Sequence, residues 1–233
     1  MRRVVATLLI GMAATPLWAE GQSTMRYDVK LLGIRAGIIE IAANVTDRAY
    51  AARTHFRTAG VVGVLKRVRA DVSVQGRVKA GRLRPQDYSE AIDDGVRVTN
   101  VEVRFAPGAP RLVSGDVGSE APAADTSALS DAIDPLTLLY VALRDQPRDE
   151  LCQFEADVFD GHRHARITLK NREDAGPAIT CNGHYRRIDG YSDDERRSRN
   201  VSISVTYEPT GEMMRAERVA FDTRLGPAVM IRR

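Results

Sequence analysis

Residues 67–75 alternate without a break: Val68, Ala70, Val72 and Val74 take one parity, and Arg67, Arg69, Asp71, Ser73 and Gln75 take the other. A period of two sends successive side chains to opposite faces of an extended backbone, so this segment is committed to a strand with one apolar and one wet face. The pattern recurs in Tyr27, Val29 and Leu31, in Ile39, Ile41, Ala43 and Val45, in Tyr50, Ala52, Thr54, Phe56 and Thr58, and in Val201, Ile203, Val205 and Tyr207. Gly33 and Gly37 bracket the join of the first two runs and predict a bend or bulge there. Asp93, Asp94 and Gly95 predict a hairpin turn. After it the apolar parity changes from Val96 and Val98 to Val101, Val103 and Phe105, which predicts a bulge near Thr99 or Asn100.

Residues 107–128 are rich in Pro, Gly, Ser and Ala and read as a long connection with a short strand at 111–113. One helix is signposted: Asp134 can cap it, Pro135 suits the first helical position, and Leu136, Leu139, Tyr140 and Leu143 recur at helical spacing. Its apolar stripe belongs against the sheet. Asp160-Gly161 as a two-residue turn faces Phe159 to His162, Asp157 to His164 and Glu155 to Arg166. That register gathers Cys152, Phe154, Ala156 and Val158 with Arg163, Ala165, Ile167 and Leu169 on one face. Further strands cover residues 178–187, 201–207 and 213–223, with a polar loop at 189–199 and a short last strand at 225–231. About ten strands and one helix, with no fixed repeat, predict a mainly β fold. The expected architecture is a single strongly curved antiparallel sheet, or partly open β-barrel, with one short helix packed on it.

The first nineteen residues carry a different message. Arg2 and Arg3 precede an apolar run at Val4 to Ile10 and Met12 to Ala14, and small Ala19 stands before Glu20, which is the layout of a secretory signal peptide. The expectation is a cleaved segment 1–19 followed by a single β-rich domain over 20–233, working in a periplasm. No later apolar run reaches the ~20 residues a membrane-spanning helix needs, so no transmembrane segment is expected in the mature chain. The whole chain carries 34 Lys and Arg against 31 Asp and Glu, but without Arg2 and Arg3 the balance is nearly neutral. Basic and acidic residues are mixed along the strands, which argues against nucleic-acid binding. The one Trp is Trp18. A mature domain without it has no Trp platform for stacking sugars.

Cys152 and Cys181 are the two cysteines, and an oxidising compartment favours a structural disulfide between them. The register above places Cys152 opposite Leu169 and two strand spacings, roughly 10 Å, from Cys181. A bridge needs Cα atoms within about 7 Å, so it requires strong curvature at strand ends or a different pairing after Lys170. His162 and His164, with His184 on the neighbouring strand, have a spacing at which imidazoles can share an ion. Asp157 opposite His164 and Arg166 beside it account for the same residues as a surface acid and base pair, and no metal or cofactor is expected. No catalytic residue is expected either. There is no Gly-x-Ser-x-Gly elbow, and the pairs Asp93-Asp94 and Asp193-Asp194 fall in turns, where Asp bonds its own backbone. Arg196, Arg197 and Arg199 have the chemistry to grip an anion such as a lipid head group, but the acids beside them favour a solvated loop.

Gly33-Ile34-Arg35-Ala36-Gly37, Thr58-Ala59-Gly60, Pro85 with Tyr88, Asp134-Pro135-Leu136, Phe159-Asp160-Gly161 with Arg163, and Cys181 followed by Gly190 stand in this order along the chain. Together they resemble the DUF3108 family of exported proteobacterial proteins. The resemblance implies export and a β-rich envelope protein and transfers no catalytic residue. The expected function is non-enzymatic: a periplasmic envelope protein that binds a lipid or other apolar ligand on the concave face of its sheet, with unfilled apolar volume inside. The alternative is an interaction protein that supports envelope integrity by offering a sheet edge to a protein partner.

Overall fold

In a computed structural model that describes residues 21–105, 107–119 and 121–233, the alternating runs become thirteen strands of one antiparallel sheet. The expected signal peptide lies outside the described residues. The strands are β1 (Gly21–Leu31), β2 (Ile34–Val45), β3 (Ala49–Thr58), β4 (Arg69–Lys79), β5 (Arg82–Asp93), β6 (Val98–Arg104), β7 (Arg111–Gly115), β8 (Phe154–Phe159), β9 (His164–Ala175), β10 (Ala178–Asp189), β11 (Asn200–Thr210), β12 (Met213–Thr223) and β13 (Gly226–Arg232). Their spatial order is β7-β6-β5-β4-β3-β2-β1-β13-β12-β11-β10-β9-β8, so the two chain halves meet where β1 pairs with β13. The sheet does not close, because β7 and β8 are both edges. Among the described residues three helices accompany it: α1 (Gly60–Leu65), α2 (Pro135–Leu143) and α3 (Asp193–Arg197).

Helix α2 plugs the hollow of the sheet. Asp134 caps it by accepting from the Leu136 and Thr137 amides at 2.9 Å, and Pro135 opens the first turn. Leu136, Thr137, Tyr140 and Leu143 are its buried residues, packed in one core with inward side chains of β3, β4 and β12. Buried tyrosines complete the filling, and their hydroxyls find partners: Tyr27 donates to the Ala216 carbonyl at 2.8 Å, Tyr207 donates to the Ala142 carbonyl at 2.7 Å, and Tyr50 shares 2.7 Å with Thr137 Oγ1. Such bonds let a large aromatic body be buried without stranding its polar tip. The chain itself packs much of the interior in this half, and a recess of about 660 Å³ remains alongside the helix, lined by Leu83, Ile133, Thr137, Val141, Phe154 and Ala156 among others.

Several local expectations change. The loop of the β8–β9 hairpin spans Asp160 to Arg163, four residues instead of two, so Phe159 faces His164 and Asp157 faces Arg166. The shift is by two positions, which preserves parity: Ala156 and Val158 still share a face with Ala165 and Ile167. Asp160 stabilises the longer loop by accepting from the amides of His162 and Arg163. No bulge interrupts the β5–β6 pairing; Val96 and Val98 simply face solvent, so the change of parity marks exposure. Between β1 and β2, Leu32-Gly33 forms a tight turn, and a register shift at Ala36, between Arg35 and Gly37, supplies the expected bulge. The disulfide is formed, with the two Cα atoms 5.0 Å apart. Cys152 precedes β8 and lies in a turn with φ of 62°, so it is free of the strand spacing that had set it too far away. Arg148, donating to Asp174 Oδ1 and the Pro177 carbonyl, ties the same segment to the β9–β10 hairpin.

Candidate functional site

Strand direction gives the hollow two unlike ends. At the α2 end the inward residues Val45, Tyr50, Val74, Leu83, Ile179, Tyr207 and Met214 are all buried. At the other end the inward row is only half-buried: Val29 on β1, Ile39 on β2, Phe56 on β3, Val72 on β4, Ile92 on β5, Ile203 on β11 and Phe221 on β12. The register makes them neighbours across strands, pairing Ile39 with Phe56 and Ile203 with Phe221. Seven of the thirteen strands thus point an apolar side chain into one mouth, at the end away from α2. Phe56 lies over Gly37, where a Cβ would come within 2.6 Å of the ring.

A polar cluster stands beside this mouth, on the flank where the β8–β9 loop fills the space between β6 and β10. Tyr88 donates to Glu90 at 2.8 Å, and burial holds the Glu90 carboxyl above its ordinary range, with the neighbouring Asp160 charge acting in the same direction. Arg163 lies 5.7 Å from the Tyr191 ring centre and 3.6 Å from Glu195, and Tyr191 shares 3.2 Å with the Tyr185 hydroxyl. Burial pushes the Tyr88, Tyr185 and Tyr191 phenols upward, so they stay neutral donors. An apolar floor with an acid, an arginine and phenols at its side suits an amphiphile.

Two glycines position the cluster. A Cβ on Gly161 would meet Val101 and Val103 at 2.9 Å, and one on Gly190 would sit 2.3 Å from the His162 carbonyl oxygen. Gly190 also has φ of 80°, where an L side chain is strained. Gly190→Ala is expected to cost about 2 kcal/mol in a urea titration. A midpoint unchanged from the parent would show that the loop tip has slack.

The histidines do not converge. His164 Nε2 bonds Asp157 at 2.7 Å with Arg166 on the same carboxylate, His184 is exposed on β10, and among the described residues no group of three or more ligating side chains could hold a metal. Asp94 accepts from the amides of Val96 and Arg97, while Arg196 and Arg197 pair with Asp193 and Asp194 along α3. Both acid pairs thus serve local structure. Sequence reasoning missed Glu90 and Tyr191, which lie far apart in the chain; it reads Asp160 as a turn residue and Arg163 as a strand residue, not as parts of a cluster. A recess of about 800 Å³ also opens on the outer sheet face, and the polar pairs among its lining residues, such as Ser73 with Ser89 and Gln75 with Asp87, bond one another.

Residues 26–175 match the family model described as a protein of unknown function, DUF3108. The chain belongs to the DUF3108 family. No curated protein matches this DUF3108 chain. Among solved structures it is similar to the crystal structure of a beta-barrel-like protein of domain of unknown function DUF1849 from Brucella abortus, with a TM-score of 0.49 and 10% identity over 90% of this chain and 94% of that one. The description of the DUF3108 family names no activity, and among the described residues no helix is long and apolar enough to cross a membrane.

Proposed function

We propose that this chain is a non-enzymatic periplasmic envelope protein that holds an amphiphile in the mouth of its curved sheet, acyl chain against the apolar row and head group beside Glu90 and Arg163. The observation that supports the reading is the change along the inward face of the sheet, from fully buried at Val45, Tyr50, Val74 and Tyr207 to partly buried at Val29, Ile39, Val72, Ile203 and Phe221. Side chains left half-exposed in a concavity lose the benefit of full burial, and a ligand supplies the missing contact.

Native mass spectrometry of the protein purified from its own envelope is expected to find one lipid-sized adduct per chain, absent from the Ile39→Glu/Ile203→Glu variant. A bare chain, or an adduct that the variant retains, contradicts the reading.

One observation favours the alternative of a protein partner. All five residues of β7 are exposed, and among the described residues no backbone bond reaches its outer edge, whereas Ile133 bridges β8 at Val158. A free edge can add a partner strand. Co-purification of a defined protein, lost on replacing Val113 with Pro, together with a lipid-free chain, is the outcome that selects it.

A further inference from the structure

Eight large apolar side chains are exposed among the described residues, and they are not scattered. Leu112 and Val113 lie on β7; the other six all sit at the mouth end. Leu32 and Ile34 flank the β1–β2 turn at 60% and 58% exposure, Leu225 caps the β12–β13 turn at 71%, Val64 projects from α1 at 86%, and Val96 stands on the β5–β6 turn at 90%. Val98 follows Val96 at the start of β6. These tips form one stretch of rim. A Cβ on Gly226 would touch Leu32, Gly60 at the start of α1 approaches the Arg35 carbonyl oxygen, and Gly95 approaches the Arg67 carbonyl oxygen.

The charge along the same stretch is one-sided. Residues 30–36, 57–69, 93–98 and 222–226 carry eight basic and three acidic residues in a chain that is otherwise nearly balanced. Two of the acids, Asp93 and Asp94, accept hydrogen bonds from the amides of their own turn. Lys66, Arg67 and Arg97 therefore stand exposed next to Val64 and Val96. Two of the basic residues are paired: Arg35 lies 2.9 Å from Asp28, and Arg224 lies 3.9 Å from Asp194, which brings α3 and its own Arg196 and Arg197 ion pairs beside the β12–β13 turn; the bias rests on Lys66, Arg67 and Arg97 at the α1 and β5–β6 tips.

Apolar side chains at the tips of separate turns, collared by Lys and Arg, match the layering of a membrane interface, with hydrocarbon below anionic head groups. We infer that this rim docks the protein on an anionic phospholipid surface, inserting the tips of the β1–β2, β5–β6 and β12–β13 turns and of α1. The mouth then opens toward the bilayer. The inference uses rim residues that do not line the mouth, so it can fail while ligand binding stands.

Co-sedimentation of the full chain with phosphatidylglycerol-containing vesicles and with pure phosphatidylcholine vesicles tests it. Binding is expected on the anionic vesicles, weakened by salt. The Val64→Ser/Val96→Ser/Leu225→Ser variant, changed only at exposed positions, is expected to bind at least about tenfold more weakly. Lys66→Gln/Arg67→Gln/Arg97→Gln is expected to lose about fivefold per charge on anionic vesicles alone. Equal binding to both vesicle types, no binding, or variants that bind as the parent does would overturn it. So would a parent dimer that the serine variant dissociates, because a second copy would then be what covers the rim.

Discussion

Replacing Cys152 and Cys181 together with alanine is expected to lower the unfolding free energy by about 3 to 4 kcal/mol, since the bridge closes a loop spanning 29 positions. The effect should exceed that of an ordinary core substitution for a topological reason. Residues 144–153 leave α2 and cross to the edge strand β8, and Cys152 fastens that crossing to β10, two strands away in the sheet order. Without the bridge, the Gln146–Met214 backbone pair and the Asp145–Arg215 ion pair still hold the start of the crossing and Leu151 stays buried, but near β10 the polar contacts of Arg148 with the β9–β10 hairpin are partly exposed. Exposed pairs contribute at most about 1 kcal/mol. Urea titration of the oxidised parent against the double variant measures the difference. Equal midpoints would mean that the crossing holds itself.

Asp134→Ala is expected to destabilise the fold by about 2 to 4 kcal/mol, the loss of a helix cap plus a stranded hydroxyl. Asp134 has no exposed surface. It accepts from two amides and from the Thr137 hydroxyl, which in turn meets Tyr50, so one carboxylate links α2 to β3. Burial pushes its pKa up to about 6, against the hydrogen bonds that favour ionisation. The unfolded carboxyl titrates near 3.9. The folded state therefore holds the proton more tightly, and between about pH 6 and pH 4 acidification favours folding at this group. Asp134→Asn removes that titration. The parent is thus expected to gain stability relative to the Asn variant as pH falls from 7 to 4, and a difference independent of pH would show that the carboxyl is not perturbed.

The strands were legible because their apolar faces are regular, and the α2 cap because Asp-Pro-Leu is a local signal. The β8–β9 register was not: a two-residue and a four-residue loop leave the same side chains on the same face, so parity alone cannot choose between them. The disulfide spacing is illegible for a related reason, since the alternation of β8 extends back through Cys152, which precedes the strand. Helix α1 was hidden because its first-turn residues, Gly60 to Gly63, carry neither a cap nor helical spacing. The mouth illustrates a deeper limit. Ile39 and Ile41 share a parity and belong to one face, yet Ile41 is fully buried and Ile39 is not. The difference is set by what packs over each position from elsewhere in the chain, which alternation along a strand does not encode. The family motif Gly33 to Gly37 and its partner Thr58-Ala59-Gly60 read as turns; in the fold the Ala59 amide bonds the Ala36 carbonyl and seats α1 on the rim.

Methyl-labelled protein titrated with a medium-chain fatty acid and followed by NMR tests the mouth most directly. Shifts confined to Val29, Ile39, Val72 and Ile203, with Ile41, Ile179 and Val205 barely moved, are the predicted result. Unmoved mouth methyls, or equal shifts in the packed half around α2, would contradict a ligand site there.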